Sequence, residues 1–277
     1  MKRFSEVFLK TAGVLVLWAL LLRVCGILRS ALSRVAAEDA VLSELSFQLF
    51  ALAALALVLL LFVGVIERGR VRTRLSRNVR KDLLLGSVVG SLWIGGTIGL
   101  HVLFGSVEFG EARYVSMFGL WIVAILINAI TQEYLLHGYV FTLIQKRYGD
   151  IVAVSATAAL FAALSANVLK NGTISILFLF LSGIFLALLR IYTDGLLTPI
   201  LVRFLWNAVG CLVVGGVSFS ATYPSVWTET LSSVDIISGG TRRFEGSGIT
   251  LFVTALLIDL VVIMLNDAKE SKRIAGT

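Results

Sequence analysis

The stretch Gln132-Glu133-Tyr134-Leu135-Leu136-His137-Gly138 closes a long apolar run and sets a carboxylate and an imidazole four residues apart. On a helix, positions i and i+4 share a face, so Glu133 and His137 come within reach of a direct or water-bridged contact. A carboxylate and an imidazole in contact can pass a proton or simply neutralise each other. Hydrocarbon tolerates ionisable groups poorly, which makes this pair a functional-site hypothesis by default. Arg203 and Asn207 form a second i, i+4 pair further on. Ser165 lies as far after Gly149 as Glu133 lies before it, so a helical hairpin turning at Gly149-Asp150 brings both to similar depth. An arginine within a membrane costs from about 3 kcal/mol upward unless paired or hydrated, and Glu133 is the natural partner for Arg203.

The elements that carry these residues are membrane helices. The chain is 58% apolar with only two prolines, and its mean hydropathy is +0.94. A soluble fold of this length cannot hide so much apolar surface. Each crossing needs roughly 20 mostly apolar residues. About eight such runs are expected, near 8 to 30, 45 to 66, 83 to 104, 115 to 136, 151 to 169, 173 to 192, 196 to 217 and 248 to 265. Backbone groups in lipid must be satisfied within a segment, so the fold class is all-α and polytopic. The first run follows Met1-Lys2-Arg3 and continues past Arg23 to Leu28 with no small-residue cleavage site close behind; an uncleaved span is expected rather than a signal peptide. Residues 1 to 104 read as peripheral helices with a basic loop, 115 to 217 as a four-helix core joined by short turns, and 218 to 277 as an outer loop, a last span and a tail.

Arg68, Arg70, Arg72, Arg74, Arg77, Arg80 and Lys81 crowd the segment from 67 to 82. The positive-inside rule assigns this loop to the cytoplasm, and alternation then puts both termini there. The tail, with Lys269, Lys272 and Arg273, agrees. The basic loop is read first as topogenic; the sharper alternative is a contact with anionic lipid or an acidic partner. The net charge of +7 therefore speaks of membrane topology, and no nucleic-acid module accompanies it. Cys25 and Cys211 both fall inside expected spans and read as small buried hydrophobes. Asn171-Gly172-Thr173 fits a glycosylation sequon, too short a match to carry weight. The segment from 218 to 247, with Tyr223, Pro224, Trp227, Asp235, Arg242, Arg243 and Glu245, is either a solvated connector or a docking surface.

Three phrases together resemble the signatures of one family. They are Gln132-Glu133 with His137-Gly138-Tyr139, Ala159 through Phe161 to Ser165, and Ser182-Gly183 followed by Leu196 through Pro199 and Arg203 to Asn207. The family is that of CAAX proteases and bacteriocin-processing (Abi) proteins, intramembrane glutamate peptidases whose signatures read Glu-Glu-x-x-x-Arg-Gly, Phe-x-x-x-His and His-x-x-x-Asn. The resemblance covers about 115 to 217 and implies an Abi-type four-helix core. It also implies that the first glutamate activates water and that two histidines assist it, in some accounts with a metal. Here Gln132 stands at the first glutamate, Ser165 at the first histidine and Arg203 at the second, while His137 replaces an arginine. Glu133, Gly138, Phe161 and Asn207 are retained.

A glutamine amide is no general base near neutral pH. Serine and arginine cannot replace two imidazoles, since arginine stays protonated and neither ligates a metal nor shuttles a proton. The chain has only two histidines, His101 and His137, and a metal site built from Glu133, His137 and Asn207 is thin for zinc. No metal and no cofactor is expected. Gln132, Glu133, Ser165, Arg203 and Asn207 then read as a structural polar cluster held by a Glu133 to Arg203 ion pair. A Ser165 to His137 nucleophile pair lacks a third group to orient the base. The expected function is that of a catalytically inactive scaffold or regulator in the cell membrane, in contact with lipid and with a cell-envelope protein. Two alternatives stand beside it: a divergent endopeptidase using Glu133 and His137, and a bacteriocin self-immunity protein.

Overall fold

The computed structural model describes residues 2–36, 39–71, 73–165, 172–217, 223–231 and 235–275. Arg72 of the basic loop and Asn171 of the sequon lie outside them. The chain is all-α and polytopic. Its helices are α1 (Lys2–Ala36), α2 (Ala40–Leu59), α3 (Val79–Leu103), α4 (Phe118–Glu133), α5 (Phe141–Tyr148), α6 (Asp150–Leu164), α7 (Gly172–Thr193), α8 (Leu197–Asn207), α9 (Asp235–Ser238) and α10 (Gly248–Ala275). Among the described residues, six helical stretches are long and apolar enough to cross a membrane, and two shorter apolar helices, Asp150–Leu164 and Leu197–Val213, occupy the places of the other expected spans.

Among the described residues, three helices run on through a π-helical segment, in which the backbone bonds reach one residue further than in an α-helix. These are Leu60–Ile66 after α2, Tyr134–Val140 between α4 and α5, and Ala208–Val213 after α8. The fourth expected span therefore does not stop near 136. It continues without a break from Phe118 to Tyr148, because the π-helical residues keep the backbone paired through Gly138. Gly149, with φ 81°, then makes the expected turn into α6.

The helices group into two compact units that interleave along the sequence. The first comprises Met1–Arg74 and Val115–Ala153, the second Leu75–Tyr114 and Val154–Thr277. In the first, α2 packs on both α1 and α4. Its apolar interior includes Leu55, Val58, Ile125 and Tyr139, with the ring of Phe62 edge-on to Tyr139 at 6.0 Å. In the second, α3 packs on α8 and α10 on α7. Small residues let these helices approach: a Cβ on Gly90 of α3 would lie 2.8 Å from Leu205 Cδ1 and 3.2 Å from the Val202 backbone, and Gly86, four residues earlier, meets Leu201 in the same way. This is the close helix contact that small residues at four-residue spacing provide in membranes. An aromatic cluster fills the core of the second unit. Trp93 stacks on Trp206 at 4.2 Å and meets Phe185 edge-on at 5.2 Å, and its Nε1 donates to Thr254 Oγ1 at 2.9 Å.

The described residues of the segment expected as a connector or docking loop include a strand and a 3-10 turn. Strand β1 (Val107–Ala112) pairs antiparallel with β2 (Trp227–Leu231). The two loops that alternation assigns to one side of the membrane are thus hydrogen-bonded to each other. A 3-10 turn over Gly240–Gly246 follows and inserts fully buried Phe244 beside His101, ring to ring at 4.5 Å. Cys25 and Cys211 are buried thiols. Apolar side chains such as Leu20 and Ile27 of α1 and Phe252 and Leu256 of α10 are exposed, as lipid-facing helices require.

Candidate functional site

Glu133 ends α4 and His137 lies within the π-helical segment that follows. Both side chains are fully buried, and His137 Nδ1 stands 2.6 Å from Glu133 Oε2. The carboxylate accepts, so Nδ1 carries the hydrogen of this contact. The pair anticipated from spacing is therefore formed, by a direct contact.

Gln132 faces a different set of groups. Its Nε2 donates to Asn128 Oδ1 at 2.8 Å, and Asn128 Nδ2 donates to Gln48 Oε1 at 3.2 Å. Gln48 Nε2 then donates to Glu44 Oε1 at 2.8 Å, and the other Glu44 oxygen pairs with Arg29 at 3.1 Å. The direction of this relay follows from its far end. Glu44 has no proton to give, so Gln48 must turn its amide nitrogen toward it, which leaves the Gln48 oxygen to accept from Asn128 and the Asn128 oxygen to accept from Gln132. Glu44 and Gln48 are both buried, and satisfied polar chains in a low-dielectric interior hold one arrangement.

The remaining motif positions lie in the second unit. Ser165 Oγ donates to the Phe161 carbonyl at 2.9 Å, the back-bond to residue i−4 usual for a serine in a membrane helix. The Arg203 guanidinium sits 4.6 Å from the centre of the Phe161 ring, a cation–π distance. Asn207 is buried at the end of α8, where the π-helical segment begins. Glu133 and Arg203, expected to pair, belong to different units; within its own unit each has a contact, with His137 and with the Phe161 ring. His101, the other histidine, is held by Ser106 Oγ at 2.8 Å and by Thr250 Oγ1 at 3.5 Å.

Residues 114–209 match the family model of type II CAAX prenyl endopeptidase Rce1-like proteins. This stretch is an Rce1-like domain. No curated protein matches the chain. The Rce1-like domain contains every motif position from Gln132 to Asn207. Its Gly183 has a structural reason: a Cβ there would come within 2.7 Å of the Ala158 backbone, so glycine lets α7 lie against α6.

The donors present do not fit a metal. At the positions that the resemblance aligns with the family's two histidines stand a hydroxyl bonded to a carbonyl and a permanently charged guanidinium, and the Glu133 carboxylate already accepts from His137. Sequence reasoning missed Arg29, Glu44, Gln48 and Asn128. The signal was there: Glu44 with Gln48 and Asn128 with Gln132 are i, i+4 polar pairs bordering or inside apolar runs. The second expected span begins at 45, which left Glu44 outside the membrane, whereas α2 starts at Ala40.

Proposed function

We propose that this protein is a catalytically inactive relative of intramembrane endopeptidases, a scaffold or regulator that binds a cell-envelope protein. It resides in the cell membrane with both termini in the cytoplasm. The observation that carries the reading is the occupation of the Gln132 amide. The position where the resemblance expects a water-activating glutamate holds a non-basic group that donates to Asn128 at 2.8 Å, at the end of a relay anchored on Glu44 and Arg29. Ser165 and Arg203 add to it, since neither supplies the imidazole expected at its position. The helices of such a scaffold still offer a transmembrane partner apolar surface and small-residue grooves. Self-immunity to a bacteriocin is a special case of the same binding role.

The Glu133–His137 contact favours one other reading, a divergent endopeptidase in which this pair moves the proton. Glu133→Gln separates the two. A glutamine oxygen still accepts from His137 Nδ1, so the fold is retained while the basic carboxylate is removed. In cells lacking the gene, Glu133→Gln is expected to restore the phenotype as fully as wild type. Complementation by wild type alone, with both proteins at equal level in the membrane, contradicts the scaffold reading.

A further inference from the structure

A cavity of about 320 Å³ opens in the first unit, and no motif position lines it. Its walls come from the first turns of α1, the residues just after the π-helical end of α2, and the last turns of α5. All three are ends of membrane-crossing stretches: Glu6–Ala31 begins here, Ala40–Ile66 finishes here and Phe118–Tyr148 finishes here. The cavity thus lies at the height where hydrocarbon gives way to headgroups.

Its chemistry is two-sided. Val7, Val71 and Leu143 supply apolar wall, and Lys10, Arg70, Lys146 and Arg147 supply positive charge. Two carboxylates, Glu6 and Glu67, also line it, but Lys10 bridges them at 2.6 and 2.7 Å. Lys146 Nζ donates to the backbone carbonyl of Arg70, tying the end of α5 to the basic segment. Among the described residues, no ion pair engages Arg70, Lys146 or Arg147. The lining therefore carries a surplus of cations beside an apolar wall, and guanidinium groups are suited to holding phosphate through paired N–H donors.

We propose that this cavity is a site for the phosphate of an anionic membrane phospholipid, with the glycerol and first acyl carbons against Val7, Val71 and Leu143. The location at the ends of three membrane helices and the charge surplus single out a lipid, in keeping with basic pockets between membrane helices that bind anionic headgroups. The basic segment from 67 to 82 then divides into residues that bind this lipid, such as Arg70, and residues that act by bulk charge, such as Arg77 and Arg80.

The test uses the full chain in a neutral detergent, titrated with phosphatidylglycerol, with phosphatidylcholine and with soluble glycerol 3-phosphate, bound lipid being read by native mass spectrometry. Wild type is expected to retain phosphatidylglycerol and not phosphatidylcholine. At about 1 kcal/mol per cation near an anionic surface, Arg70→Gln/Arg147→Gln is expected to bind about thirty-fold more weakly. Arg77→Gln/Arg80→Gln removes the same charge from the same region and is expected to bind within about three-fold of wild type. Helical circular dichroism and thermal midpoint in pure detergent establish that both variants are folded; should the cavity pair unfold, Arg147→Gln alone replaces it, with about five-fold weakening expected. Equal losses in the two double variants would show bulk charge and no site. Glycerol 3-phosphate binding as tightly as phosphatidylglycerol would make the ligand a soluble phosphate and overturn the lipid assignment.

Discussion

The two units have different interiors. The first holds a relay of side chains, from Arg29 and Glu44 through Gln48 and Asn128 to Gln132, beside the buried Glu133–His137 pair. The second has a core of stacked aromatic rings; there Ser165 bonds its own helix and Arg203 lies over the face of Phe161. The first unit ties polar side chains from several helices into one hydrogen-bonded chain, and the core of the second is held by ring packing. Substitutions in the first unit should thus be coupled through the relay, and those in the second should act by volume.

The largest effect belongs to the aromatic core. Trp93→Ala removes the partner of Trp206, Phe185 and Thr254 and is expected to cost about 3 to 5 kcal/mol, read by unfolding in detergent. A loss below about 1 kcal/mol would mean that volume does not govern the second unit. Gly90→Val comes next, since its Cβ would stand 2.8 Å from Leu205 Cδ1; about 1 to 3 kcal/mol is expected from overpacking α3 against α8. The same change at Gly99, which has no neighbour within 4 Å of a built Cβ, is the control, expected to cost less than about 1 kcal/mol.

The relay makes a sharper prediction. Gln132→Glu introduces the glutamate that the resemblance expects but offers Asn128 an acceptor where it now meets a donor. Each amide would have to turn over, and the last would face the Glu44 carboxylate with an oxygen. The substitution is expected to cost about 1 to 3 kcal/mol, the penalty of an unsatisfied buried polar group. Glu44→Gln, which can donate, should recover part of that loss, giving a coupling of at least about 0.5 kcal/mol. Strict additivity of the two would show that the relay does not transmit. The smallest effect is expected at Ser165→Ala, within about 0.5 kcal/mol of wild type, because a back-bond to Phe161 adds little to a helix.

Much of this was legible in the sequence, for physical reasons that can be named. Apolar runs locate membrane helices because lipid demands them, and the helix over Gly172–Thr193 lies within a residue of the expected 173 to 192. Charge at i and i+4 located the Glu133–His137 contact. What could not be read was anything that depends on where helices touch. The π-helical segments have no composition of their own, so the helix beyond 136 was not foreseen. The strand pairing of Val107–Ala112 with Trp227–Leu231 joins segments more than a hundred residues apart. The resemblance singles out Gln132, but its place in the relay depends on Gln48, which lies on another helix.

The central claim is that Glu133 has a structural and not a catalytic role. It is tested most directly by crosslinking and affinity purification from native membranes, wild type beside Glu133→Gln, with what elutes identified by mass spectrometry. The account predicts one defined membrane or envelope partner, recovered intact and in equal amount with both proteins. A polypeptide recovered cleaved with wild type and uncleaved with Glu133→Gln would contradict it and make Glu133 catalytic.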